Sequence, residues 1–220
     1  TLSGGNHCPV SSYLEINGTR TDMNNLVTIT ALPNKRHFYL NNANAELTLR
    51  YIKLSGGSVT GSSGGAIQIY TSGGKLNLYW CVLSNNKAYY GGGAIHATNA
   101  AINIFNSIFT DNDGLSSYGG GIMMSKSSGI IKNTTIAGNK VSYGGGGIYI
   151  EYSDVSLSKL VISDNEAWAH GGGIYIKGTT YNGQGPSNVN ISETLLSNNK
   201  VASSASGGGS SGGGGLALAS

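Results

Sequence analysis

Residues 145–174 read GGGIYIEYSDVSLSKLVISDNEAWAHGGGI, and almost every feature of this stretch returns elsewhere in the chain. A glycine run, Gly145-Gly146-Gly147, leads into an apolar segment at Ile148, and Val155-Ser156-Leu157 then alternates with a period of two. Ile162 stands three places before Asn165, and the next glycine run, Gly171-Gly172-Gly173, opens on Ile174. A period of two puts the apolar members of a strand on one face. The glycine motif recurs ahead of Ile67, Ile95, Ile122, Ile148, Ile174 and Leu216, at steps of 28, 27, 26, 26 and 42 residues. The asparagine motif keeps step with it as Leu83/Asn86, Phe109/Asn112, Ile136/Asn139, Ile162/Asn165 and Leu196/Asn199.

Two or three short strands in each repeat, with no helical period, predict an all-β fold: a parallel β-helix whose coils stack at ~4.8 Å. Equivalent residues then form ladders. The inward ladders read Leu49/Leu78/Ile104/Ile131/Leu157/Ile191 and Leu54/Leu83/Phe109/Ile136/Ile162/Leu196. Neither could be buried by one coil alone. Asn86, Asn112, Asn139, Asn165 and Asn199 form a further ladder in a turn, with Gly57 standing where the preceding coil would place its asparagine. Stacked side-chain amides there can bond one another and the turn backbone. Repeats occupy residues 44–220, with loop insertions at 177–187 and 203–215, and residues 1–43 are read as incomplete first coils or a cap.

Composition excludes the main competitors. Thirty-six of 220 residues are glycine and only 10% are charged, which rules out an ordinary helical fold, since glycine costs about 1 kcal/mol at a helix position. Three prolines and clustered glycines exclude collagen, and 39% hydrophobic residues in register exclude disorder. A net charge of +3 with no basic tract lacks the footprint of a nucleic-acid binder, and no apolar run reaches the ~18 residues of a membrane span. A chain that begins at Thr1 reads as a mature or trimmed product.

The paired Gly-Gly-Ala-Ile motifs and Phe109-Thr110-Asp111-Asn112, a Phe-x-x-Asn signature, resemble the repeats of chlamydial polymorphic outer membrane proteins and related pectin-lyase-like β-helix proteins. The resemblance spans roughly residues 44–220, with Leu or Ile in place of Phe in four of the five repeats. It implies a right-handed β-helix, outside the cell or on its surface, serving adhesion or structure.

Candidate chemistry is sparse. Lys87, Asp113, Lys140, Glu166 and Lys200 directly follow the ladder asparagines and alternate in sign, which reads as a salt ladder along the solenoid. Asp111 and Asp164 share a position two rungs apart, at the outer edge of an inverting glycosidase pair. The outward positions after the glycines carry Gln68, His96, Met123, Tyr149, Tyr175 and Ala217. They hold no carboxylate, so a sugar-cleaving site is not expected.

Tyr90, Tyr118, Tyr143 and His170 each precede a glycine run, with Tyr89 and Trp168 beside them. Either they simply cover a turn, or they form a binding or lateral-contact face for sugars or a neighbouring protein. Gly61-Ser62-Ser63-Gly64-Gly65 matches a nucleophile elbow only by glycine-serine richness, and no histidine has metal-ligand spacing. Cys8 and Cys81 read equally as a disulfide or as separate thiols, with Cys81 at an inward position. Asn17, Asn133 and Asn190 head N-glycosylation sequons.

The resulting expectation is an extracellular, non-enzymatic structural protein without metal or cofactor, self-associating into a surface layer or filament or joining related β-helix subunits. Leu216, Ala217 and Leu218 are the expected axial joint. A glycan-binding adhesin is the alternative, and a polysaccharide lyase or hydrolase the remaining one.

Overall fold

A computed structural model describes residues 8–19, 22, 23, 25–178, 185–202 and 213–219. The coil that starts at Ile122 shows the construction. It has four strands, Ile122–Ser125, Ser128–Lys132, Thr135–Ala137 and Lys140–Val141. Single residues with positive φ turn the chain at the corners: Lys126 (50°), Asn133 (50°), Gly138 (67°) and, before the next coil, Gly145 (71°). The two-residue fourth strand is too short to show alternation, so the sequence points to fewer strands per coil than are present.

Each strand pairs in parallel with its equivalents above and below, and no helix occurs among the described residues. First and second faces merge into one 13-stranded sheet because Ile67–Tyr79 and Ile95–Phe105 run continuously across the corner between them. The third face is a seven-stranded sheet from Val27–Thr30 to Leu195–Ser197. On the fourth face, Ser58–Val59 pairs with Lys87–Ala88, and isolated bridges through Asp113 continue the ladder to Lys140–Val141, Glu166–Ala167 and Lys200–Val201.

The ladders extend back beyond residue 44. Cys8–Val10 pairs with Phe38–Leu40, Tyr13–Asn17 with Glu46–Arg50, and Val27–Thr30 with Ile52–Ser55. At the other end, Leu216–Ala219 continues the first face beside Ile174–Lys177. Of the two insertions, residues 179–184 and 203–212 lie outside the described residues.

Both inward ladders form in the expected register. Leu49, Leu78, Ile104, Ile131 and Leu157 are fully buried, as are Leu54, Leu83, Phe109, Ile136 and Ile162. Ile67, Ile95, Ile122, Ile148 and Ile174 add a third apolar column behind the first face. At ~25 cal/mol per Å² of apolar surface, these columns supply the main drive to stack.

Corners are where a solenoid loses backbone partners, and three of the four corners replace them with side chains. Asn86, Asn112, Asn139 and Asn165 are 0% exposed. Each Oδ1 from Asn112 to Asn199 accepts both the backbone N–H and the Nδ2–H of the previous ladder asparagine, at 2.9–3.1 Å. Nδ2 donates its other hydrogen to a carbonyl of the previous coil, as Asn112 does to Leu83 at 2.9 Å and Asn165 to Ile136 at 2.8 Å. Gly57 starts the ladder by donating its N–H to Asn86 Oδ1 at 2.9 Å. Hydroxyls play the same part at two other corners: Cys81 N–H donates to Ser107 Oγ at 3.1 Å, and Ser127 N–H to Ser153 Oγ at 3.0 Å.

The fourth corner uses glycine instead. A Cβ on Gly120 would lie 2.3 Å from the Gly146 carbonyl oxygen and 2.4 Å from that of Lys140. The backbone of the fourth strand packs there at a distance no side chain allows.

Asn139→Ala should therefore destabilise the fold by about 3 kcal/mol or more, because it orphans several buried donors and acceptors at once. Asn199→Ala, at the half-buried end of the ladder, should cost about 1 kcal/mol. Urea midpoints of the two variants check the difference, and equal losses would mean that the amides do not act as a ladder.

Candidate functional site

The first-face strands present one outward column: Tyr39, Gln68, His96, Met123, Tyr149, Tyr175 and Ala217, in that register. Much of it is covered. His96 is 8% exposed, Tyr149 1%, Tyr175 7% and Ala217 6%. The turns that enter the strands at Ile122, Ile148 and Ile174 fold back over the column, so Tyr118, Tyr143 and His170 build a layer of rings outside the solenoid with Tyr149 and Tyr175.

Ring geometry makes this layer a connected unit. Tyr118 stacks on Tyr149 at 4.3 Å between centroids and meets Tyr143 edge-on at 4.8 Å. His170 lies 5.1 Å from Tyr175 and 5.4 Å from Tyr143. Burial pushes the Tyr118 phenol up to about 12, helped by the neighbouring phenols and Glu151, and also raises Tyr149 and Tyr175. The three phenols therefore stay protonated and remain donors at neutral pH.

The single aromatic column expected from the sequence divides in two. Tyr118, Gly144 and His170 are bridge partners in one column, whereas Tyr143 pairs one residue earlier, with Ser117. The reason is the length of the glycine run. One glycine more precedes the left-handed Gly145 than precedes Gly119 or Gly171, and it moves Tyr143 back by one place. A Cβ on Gly144 would lie 2.6 Å from Tyr175 Cδ1, so this glycine leaves room for the ring. Tyr149 and Tyr175, read from the sequence as ordinary outward residues, are the best-covered rings of the layer, and nothing in the sequence signalled it.

A second correction concerns charge. The outward side of the first strands does carry a carboxylate, Glu151, two residues beyond Tyr149. It accepts hydrogen bonds from Tyr149 Oη at 2.9 Å and Ser125 Oγ at 2.9 Å, with Lys177 Nζ at 3.8 Å.

The remaining candidates flank this layer. Tyr89 and Tyr90 form an exposed edge-to-face pair at 4.9 Å. Trp168 is 60% exposed beside a groove of about 290 Å³ on the fourth face, lined also by Asp113, Lys140, Ser142 and Glu166. Lys87, Asp113, Lys140, Glu166 and Lys200 occupy successive rungs there. Among the described residues, only Lys87 and Asp113 of this column come within 4 Å, at 3.5 Å, an exposed contact worth ~0.2–1 kcal/mol.

Asp111 and Asp164 are corner residues with φ of 55° and 56°, in the column of Asn85, Gly138 and Asn198. Left-handed geometry accounts for Asp, Asn and Gly at that position. Cys8 and Cys81 are free thiols, so the suggested bridge is not formed. Cys81 is buried at a corner, where its Sγ contacts the Leu49 carbonyl and burial raises the thiol to about 11. Asn17, Asn133 and Asn190 are all exposed. Leu218 on the last described rung is 72% exposed, while Ala217 is covered by the aromatic layer.

Four-sided parallel coils with ladders at their corners define a β-helix solenoid. The chain belongs to the family described as "Right handed beta helix region", whose model matches residues 36–215. That match fixes the family and the hand of the solenoid without singling out the chlamydial repeats. No curated protein and no solved structure matches the chain.

His96 supplies a pH test of the covered column. Burial, together with the nearby Arg36 guanidinium, holds its imidazole down at about 4, against 6.5 for the free group. The unfolded chain thus binds the proton first. His96 contributes its full stabilisation above pH 6.5, about 3 kcal/mol, and loses it as the pH falls through 6.5 towards 4. Buried His37 is also held below its free value and remains in the variant, so urea unfolding of wild type and His96→Gln between pH 4 and 7 should show a larger loss in wild type, the difference being that of His96.

Proposed function

We propose that this chain is a non-catalytic, carbohydrate-binding β-helix of an extracellular surface or matrix, engaging glycans along its aromatic flank. The observation that carries this reading is the exposed rings of Tyr89, Tyr90, Tyr143 and Trp168, with Tyr143 held from beneath by the packed rings of Tyr118, Tyr149, His170 and Tyr175. Aromatic rings offer flat apolar faces to sugar C–H groups, and phenol hydroxyls offer hydrogen bonds to sugar hydroxyls. Rings held by one another lose little freedom when a ligand arrives. Positions on successive coils repeat at the rung spacing of ~4.8 Å, which suits an extended polymer better than a small compact ligand.

The carboxylates support a binding reading over a cleaving one. Glu151 is engaged by Tyr149, Ser125 and Lys177, and Asp111 and Asp164 serve the corners. A glycan panel followed by calorimetry tests the proposal. Tyr143→Ala and Trp168→Ala should each weaken binding of the best glycan about tenfold while leaving the unfolding midpoint nearly unchanged. Absence of binding across the panel, or wild-type affinity in both variants, would overturn the reading, and release of oligosaccharides would turn it into an enzyme.

A further inference from the structure

The same outward column begins with a different chemistry. Arg36, at the corner entering Phe38–Leu40, is 9% exposed, and its guanidinium lies 5.2 Å from the centre of the Tyr39 ring. Its Nη2 donates to Ser62 Oγ at 2.7 Å, whereas Nη1 is buried without a hydrogen-bond partner. Two rungs along the column from Tyr39, His96 is 8% exposed; its Nε2 lies 3.4 Å from Thr98 Oγ1, and its Nδ1 is likewise buried without a partner. Gln68 stands between them in the register.

Arginine keeps its charge at every accessible pH, so it cannot escape burial by losing a proton. Buried charges are ordinarily paired, and leaving one unpaired is strongly unfavourable. Arg36 nevertheless makes no salt bridge among the described residues, and the electrostatic influences on it and on His96 come from Tyr39 and from Arg36 itself. A positive charge, two unpaired buried nitrogens and a hydroxyl, gathered with no carboxylate, are the donor half of an anion site. A guanidinium fork matches the oxygens of a carboxylate or sulfate group, and an imidazole can add a third donor.

We infer that Arg36, Ser62, Gln68 and His96 form an oxyanion site that takes the carboxylate or sulfate group of an anionic ligand. Binding turns the Arg36 side chain from an unpaired buried charge into one member of a charge-assisted pair. This site stands apart from the aromatic layer at Tyr118 to Tyr175, and its test does not depend on that layer.

The test follows thermal unfolding of the whole chain at matched ionic strength, in chloride, with sulfate, phosphate, acetate or a uronic acid added. Sulfate stabilises most proteins by exclusion from their surfaces, in proportion to its concentration, so the informative signal is a saturable rise above that trend. Wild type should show it. Arg36→Met, which keeps much of the packing, should lose it entirely, and His96→Gln should weaken the apparent affinity about tenfold. Should Arg36→Met fold poorly, Ser62→Ala and wild-type histidine NMR signals give the same answer, because the bound anion should move the His96 resonances in a saturable way. A rise with sulfate and phosphate alone assigns a tetrahedral oxyanion, and one with acetate or the uronic acid assigns a carboxylate. No saturable rise with any anion, or the same rise in Arg36→Met, would overturn the site.

Discussion

The left-handed turn at the corners is the constraint on which this β-helix depends. It turns the chain sharply enough for four short strands to close one coil, and it interrupts the ladder of backbone hydrogen bonds that holds coil to coil. Whatever follows the corner must then repair the interruption. Asparagine does so with an amide that both accepts and donates, serine and threonine do so with a hydroxyl, and the fourth corner does so with glycine backbone alone. Leaving these buried groups unpaired would be expensive at every coil, so the repeat is specified as firmly by its corners as by its apolar columns.

The corner chemistry also shapes the outer surface. The fourth strand's backbone rests on the glycine column, and the short turn that follows brings the chain back over the first face. That return lays Tyr118, Tyr143 and His170 onto Tyr149 and Tyr175, outside the solenoid wall. The outer layer is thus a consequence of the interior: without side-chain-free glycine at Gly120 and Gly144, neither the strand nor the Tyr175 ring would fit. Along the same column the contents change from Arg36 and His96 to tyrosines, so one flank combines an anion-seeking end with an aromatic stretch.

Period, strand pattern and ladders were all legible in the sequence, because a solenoid stacks residue i on its equivalent one repeat later and the spacing alone names the neighbours. Leu83, Phe109 and Ile136 could be placed in one column from their distance to an asparagine, and Lys87, Asp113 and Lys140 from the residue after it. Spacing does not give side-chain reach, however. Lys140 and Glu166 share a ladder yet do not close an ion pair, whereas Lys87 and Asp113 in the same column do. Cys8 and Cys81 stay apart because one lies on the first rung of the first face and the other in a buried corner.

The sequence by itself determined the architecture, the inward columns and the presence of an asparagine ladder, since each of these follows from linear repetition. Tertiary structure alone decided which outward residues are covered. A period of two says that Tyr149 points away from the core, but only the path of the turns over the first face says that Tyr118 lies on top. Likewise, nothing in the order of residues joins Arg36 to His96, sixty positions later. They come onto one flank because three successive coils stack, and burial there leaves Arg36 Nη1 and His96 Nδ1 without a hydrogen-bond partner among the described residues.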